Sequence, residues 1–305
     1  MSSSEKRAYL GLVLVFVIWG SLYVVSMVVL ESLPAFLVMF FRFAIAFLTL
    51  SLIVKVRSRN WAGGVNEQGK KTRLDREAWK YVWIMGAFGY AVSVGVQLLG
   101  TKFAGSSMAS LINSLNPVTI SLMAVPVLHE KLTGNKIAGI GMAVFGVYLI
   151  LGTGGQTSLP GVLLSLASVF GWSMVSVLTR RGLSVYEPLV ITRAAVGIAA
   201  ICEIPIAAAE YFVSQPAVSF SLPVILGLLY LGIVCTGLAY ILWNQGLAAL
   251  PASNCSALYP VQPLTSTVMG VLFFKESVGL PFALGTACII AGELVCLLYK
   301  SREKE

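Results

Sequence analysis

The chain has 305 residues, of which 57% are apolar and only 11% charged, with a formal net charge of +8. Soluble domains carry about a quarter charged residues; here too little polar material exists to cover a water-facing surface, so the apolar excess must face lipid. The basic balance does not point to nucleic acid: ten of the 21 Lys and Arg lie in the first seven residues or within 55–80, and three more in the last six. That is clustering at membrane edges, not a basic groove with interleaved aromatics.

Apolar runs broken by Pro or Gly predict ten membrane-spanning helices, at 8–30, 34–54, 79–100, 104–127, 134–152, 160–179, 188–210, 221–246, 253–274 and 279–299. Each is close to the ~20 residues that cross the hydrocarbon. The first run is long enough to span the bilayer and reads as a helix, not a cleavable leader. It carries Trp19 and Tyr23 within its apolar stretch. The second carries Arg42, eight residues past Pro34, hence about 12 Å below that edge at ~1.5 Å per residue. The segment 55–80 is the one long polar stretch, with Gly63-Gly64 and eight basic residues, and is expected to be a loop. Trp61, Trp79, Tyr81 and Trp83 around it fit an interfacial belt.

The fourth run holds Asn113, Asn116 and Pro117. Carboxamides facing lipid are unfavourable, and Pro removes a backbone donor inside a helix. His129-Glu130-Lys131 follows; it lacks the second histidine of a zinc-binding helix. Gly139, Ala143 and Gly146 in the fifth run stand at helix-contact spacing. The glycine run at 152–155 is followed by no Gly-Lys-Ser/Thr, so ATP is not expected as the drive. Trp172 lies in the sixth run, Arg193 and Glu203 in the seventh, Tyr240 and Trp243 in the eighth. The ninth carries Tyr259, Pro260, Gln262 and Pro263, and the tenth Gly285, Gly292 and Glu293. The five cysteines fall in apolar runs and read as small hydrophobes. The Asn254-Cys255-Ser256 sequon sits at a helix start and is discounted. No metal or cofactor site is expected.

With the N-terminus inside, 17 of the 21 basic residues fall on the inner side and Lys102 and Lys275 alone on the outer, which places both termini in the cytoplasm. Sliding the chain on itself by 146 residues superposes Ser107 on Ser253, Pro117 on Pro263, Glu130 on Glu276, Gly139 on Gly285 and Gly146 on Gly292. Small changes of offset bring Trp19 opposite Trp172 and Arg42 opposite Arg193. Helices one to five therefore repeat as six to ten, as units 1–156 and 157–305. Five is odd, so the second unit is expected upside down, the inverted repeat of secondary transporters.

The Trp19-Gly20-Ser21 turn, Arg42, the Asn116-Pro117 and Gln262-Pro263 steps, and Glu130 and Glu276 followed by glycine-bearing helices resemble the drug/metabolite transporter superfamily, specifically its ten-helix EamA type. The resemblance spans nearly the whole chain. It implies a basket of helices around a central cavity, a bacterial inner-membrane location and export of amino acids or other metabolites.

Ionisable side chains within the bilayer normally face a cavity or a partner. Depth matching suggests two ion pairs, Arg42 with Glu203 and Arg193 with Glu293, either glutamate being a candidate proton site. Interrupted helices at matching places in two halves point to a midplane site, which makes Pro117, Pro260 and Pro263 candidate hinges. The expected cavity lining is Trp19, Tyr23, Arg42, Asn113, Asn116, Trp172, Arg193, Tyr240, Trp243, Tyr259 and Gln262. Together these features predict an all-α polytopic membrane protein that moves a small molecule by alternating access, as a monomer or homodimer in the lipid bilayer. The alternatives are a non-transporting receptor or scaffold, and a membrane-embedded enzyme, for which paired catalytic groups at one depth are missing.

Overall fold

The computed structural model describes residues 3–58, 64–66, 69–128, 134–151, 158–249, 258–276 and 278–298. His129, Glu130, the glycine run at 152–155 and the sequon at 254–256 lie outside them. Helices dominate: α1 (Ser3–Leu30), α2 (Ala35–Arg57), α3 (Arg76–Trp83), α4 (Val94–Ala104), α5 (Ser106–Asn113), α6 (Asn116–Leu128), α7 (Gly134–Leu151), α8 (Leu159–Val185), α9 (Pro188–Ser214), α10 (Leu222–Leu229), α11 (Ala239–Ala249), α12 (Val261–Phe274) and α13 (Leu280–Leu298). Six of the resulting rods are long and apolar enough to cross a membrane: Ala8–Leu30, Ala35–Arg57, Arg76–Ala104, Leu159–Leu178, Pro188–Ser214 and Leu222–Gly246. Their outward side chains are large and apolar, with Leu48, Phe212 and Leu222 mostly exposed, as a lipid-facing surface requires. This is a multi-pass membrane protein.

Two rods are not α-helical throughout. A π-helical stretch, Ile84–Ser93, joins α3 to α4, and another, Tyr230–Leu238, joins α10 to α11. Their starts are 146 residues apart, the offset of the sequence repeat. In each, a hydroxyl reaches five residues back: Ser93 Oγ to the Phe88 carbonyl at 2.9 Å and Thr236 Oγ1 to the Leu231 carbonyl at 2.8 Å. Such widened turns are rare and often mark functional sites.

The fourth predicted helix is broken at Ser114 and Leu115, between α5 and α6. Pro117 explains the break: the Asn113 carbonyl is the one its missing N–H would have bonded. The Asn116 side chain substitutes, donating from Nδ2 to that carbonyl at 2.6 Å. Pro260 is the N-cap of α12 and Pro263 lies in its first turn, where no intrahelical partner exists for its N–H. In the segment between α2 and α3, Lys71 N donates to Val185 O at 3.1 Å and Glu187 N to Lys71 O at 2.9 Å. That part of the expected loop is therefore docked against the α8–α9 junction.

Helix pairings respect an exchange of halves. α7 packs on α13, and α2 on α9. The Arg76–Ala104 rod packs on α8 as the 222–249 rod packs on α1, and α5 and α6 lean on α8 as α12 leans on α1. Glycines set the closest approaches. A Cβ at Gly146 would stand 2.6 Å from the Gly285 carbonyl oxygen, and one at Gly292 2.5 Å from that of Gly139; these are two views of one seam. A Cβ at Gly86 would meet Ala195 O and Ile198, and one at Gly232 would meet Ile45 and Arg42 O. In these contacts Arg42 therefore answers to Ala195 and Ile45 to Ile198, the offset of 153 that also relates Trp19 to Trp172. The expected match of Arg42 with Arg193 is out of register by two residues.

Candidate functional site

Where the halves meet, α1, α2, α4, α5, α6, α8, α11 and α12 surround a cavity of about 460 Å³ of atom-free space, counting its mouth. Nine of the eleven residues expected from the sequence line it: Trp19, Tyr23, Arg42, Asn113, Asn116, Trp172, Tyr240, Tyr259 and Gln262. The offsets pair much of the wall across the halves. Trp19 answers Trp172, Asn113 answers Tyr259, Asn116 answers Gln262 and Val94 answers Tyr240.

Rings form one side. Tyr240 lies 6.1 Å between centroids from both Trp19 and Trp172, and 4.9 Å from Tyr90. The Trp19 indole N–H donates to the Cys235 carbonyl at 3.2 Å, within the π-helical stretch, and this fixes the ring plane. Amides form the other side. Gln97 and Gln262 both donate to the Tyr23 hydroxyl, at 2.6 and 3.1 Å. Asn116 also donates to Asn113 Oδ1 at 3.0 Å, and its own Oδ1 accepts from Ser173 at 3.3 Å.

Arg42 is 2% exposed. Its Nε–H donates to Thr236 Oγ1 at 2.7 Å, and Thr236 is held by the π-helical carbonyl behind it. Its guanidinium carbon stands 5.9 Å from the Phe43 ring centroid. It is the one charged residue among those lining the cavity.

Two expected lining residues stand elsewhere. Trp243 packs behind the wall, 5.5 Å from Trp19 and 5.8 Å from both Tyr259 and Phe16. Arg193, on α9, does not reach the cavity. The expected ion pairs are not formed either. Among the described residues the charge pair within 4.0 Å is Lys71–Asp75, at 3.1 Å. Arg42 turns toward Thr236, whereas Glu203 lies by Gly95, where an added Cβ would be 3.7 Å from Oε1. Neither Glu203 oxygen has a hydrogen-bond partner. Glu293 is fully buried on α13, whose neighbours are α7 and α6, not α9. The Ser114 hydroxyl beside it donates to the Leu111 carbonyl at 2.7 Å.

Leu22, Ser93, Val94, Gln97 and Ser168 complete the lining and were not anticipated. Gln97 was findable, because it stands 146 residues before Trp243.

At the rim of the fold, Glu276 receives both amides and both hydroxyls of Ser106 and Ser107: Ser106 N at 3.0 Å, Ser106 Oγ at 2.7 Å, Ser107 N at 3.2 Å and the Ser107 hydroxyl. A carboxylate from the end of α12 thus caps α5, at the helix end where negative charge is favoured. Glu210 on α9 does the same for α2, accepting from Ala35 N at 3.1 Å and Phe36 N at 2.7 Å. Away from the lipid, the Tyr186 hydroxyl donates to Asp75 at 2.6 Å. This bond holds the Asp75 carboxyl well below the usual carboxylate range and pushes the Tyr186 hydroxyl up to about 12.

A multi-pass helical protein with a polar, ring-walled cavity at the junction of two similar halves is built to hold a small solute within the membrane. The EamA-like transporter family profile matches residues 6–152 and again 159–298, and the chain belongs to that family. It is 24% identical to an uncharacterized transporter of Bacillus subtilis, YetK, covering 98% of this chain and 89% of that one. An uncharacterized transporter of Archaeoglobus fulgidus is 23% identical over 94% of this chain and 96% of its own length. A solved crystal structure superimposes with a TM-score of 0.67 at 22% identity, covering all of both chains. The protein is a membrane transporter.

Proposed function

We propose that the protein is a secondary transporter that exports amino acids or related small metabolites by alternating access, and that the cavity between Trp19, Arg42 and Trp172 is its substrate site. One observation carries this reading: the cavity lies where the two halves exchange equivalent contacts, so a swap of conformations between the halves would turn its mouth from one face to the other. In this reading ten spans form two inverted units, 1–156 and 157–305. Both termini lie in the cytoplasm of a bacterial inner membrane, as the placement of 17 of 21 basic residues favours. Pro117, Pro260 and Pro263 mark the hinges, supported by the break before α6 and by the start of α12 at Pro260. Glu203 and Glu293, buried without charge partners, are candidates for a coupling proton.

The test is reconstitution into liposomes preloaded with a panel of amino acids and related metabolites. Trans-stimulated exchange of at least one solute, abolished by Trp172→Ala, is the expected result. Absence of exchange across the panel with correctly inserted protein refutes the reading.

A further inference from the structure

The two halves repeat the scaffold of the cavity but not its charge. Arg42 answers to Ala195 across the exchange of halves, and none of the lining residues is Asp or Glu. Among the described residues the cavity lining therefore carries one positive charge and no negative one.

That charge is also poised to bind. Arg42 is 2% exposed, yet among the described residues its one hydrogen bond is from Nε to Thr236. The two terminal nitrogens of the guanidinium have no acceptor among the described residues. A planar fork with both arms free matches the two oxygens of a carboxylate. The same cavity is lined by flat rings, Tyr240 and Trp172, whose centroids are 6.1 Å apart. The nearby carboxamide oxygens of Asn113 and Asn116 already accept hydrogen bonds from Asn116 and Ser173. An ammonium group entering here would give up its water without meeting an anion.

We infer that the transported solute is a small organic monoanion, a carboxylate on a flat apolar or aromatic body, in preference to a zwitterionic amino acid. This rests on the transporter reading above and narrows its substrates from amino acids and related metabolites to the carboxylates among the latter. A monoanion leaves the loaded cavity electrically neutral. A zwitterion leaves it with net positive charge inside the membrane, where an uncompensated charge is unfavourable.

Four ligands sharing one skeleton isolate the charge: hydrocinnamate, phenylalanine, phenethylamine and the neutral hydrocinnamamide. Binding to the full-length protein in lipid nanodiscs is read from intrinsic fluorescence, since Trp19 and Trp172 line the cavity, and by calorimetry. Hydrocinnamate is expected to bind at least about tenfold more tightly than phenylalanine, with phenethylamine weakest. In Arg42→Gln the preference for the anion over the amide collapses while amide binding persists, which also shows that the variant is folded. Arg42→Lys retains part of the preference, because the charge stays and the fork is lost. Phenylalanine binding as well as or better than hydrocinnamate overturns the inference, as does failure of every ligand to bind. If phenylalanine wins and the liposome panel still shows exchange, the charge rule alone is wrong. If hydrocinnamate wins and no solute exchanges, the transporter reading is the one that falls.

Discussion

Replacing Glu276 by Gln tests whether the carboxylate at the end of α12 holds α5 in place. Four donors converge on its two oxygens, two amides and two hydroxyls from Ser106 and Ser107. A carboxamide keeps one acceptor oxygen and turns an NH2 group toward the other pair, so two charge-assisted bonds are lost. Hydrogen bonds to charged groups contribute roughly 1.5–3 kcal/mol each when buried. Glu276 is only partly buried, and about half that value gives a loss of about 2 kcal/mol in total. At roughly 2–4 °C per kcal/mol for a chain of this size, the midpoint of thermal unfolding in detergent should fall by about 6 °C. A double-mutant cycle with Ser107→Ala should show coupling of about 1 kcal/mol, because both changes strike one bond. Gly270 leaves no room for repacking, since a Cβ there would be 2.5 Å from Glu276 Oε2. An unchanged midpoint, or losses that simply add, would show that the carboxylate does not cap α5 and would refute the reasoning.

Three further outcomes are expected. Gly146→Val and Gly292→Val should each destabilise the α7–α13 seam by ~1–3 kcal/mol or more, being overpacked against the Gly285 and Gly139 carbonyls, and equal losses in thermal unfolding would support the exchange of halves. Asn116→Ala should lose ~1–3 kcal/mol, because the Asn113 carbonyl then has no donor in place of the missing Pro117 N–H; the same assay reads it. Asp75 has a depressed carboxyl pKa, so the bond from Tyr186 is present at neutral pH and is lost only as pH falls through that depressed value. Hydrogen exchange at Glu77 and Ala78, whose amides Asp75 caps, should stay slow from neutral into mild acid in the native chain and be faster throughout in Asp75→Ala.

Apolar length and Pro or Gly punctuation located the six long rods, because hydrocarbon thickness fixes how long a run must be; the run expected at 104–127 is broken at Ser114 and Leu115, and the one expected at 253–274 is helical from Val261 among the described residues. Trp19, Trp172 and the carboxamides were legible because polar and repeat-related groups inside a span need a reason to be there. The π-helical stretches were not: their composition is that of any buried apolar helix, and only backbone contacts widen the turn. Position along a helix can be counted, but direction around it depends on packing, so Arg42 turns to Thr236 while Glu203 lies by Gly95. The mistaken alignment of Arg42 with Arg193 has a similar origin. Residue identity suggested it, whereas glycine contacts at Gly86 and Gly232 set the register.

The register difference itself bears on orientation. Equivalent residues are 153 apart before the second span's loop, as Trp19 and Trp172 are, and 146 apart after it, as the two π-helical stretches are. The first half thus carries seven more residues between its second and third spans than the second half does. Those residues belong to 55–80, with its eight Lys and Arg, whereas the equivalent segment 208–226 has no Lys or Arg and one acid, Glu210. In the proposed inverted arrangement, two similar halves leave the bilayer no means of telling the faces apart by scaffold alone. The basic loop breaks that tie, because a segment rich in Lys and Arg resists translocation. Neutralising its lysines and arginines should therefore scramble insertion while leaving the helices and their pairings intact. Protease accessibility of the 55–80 segment in sealed vesicles would report it, and undisturbed single-sided cleavage would show that some other feature sets the topology.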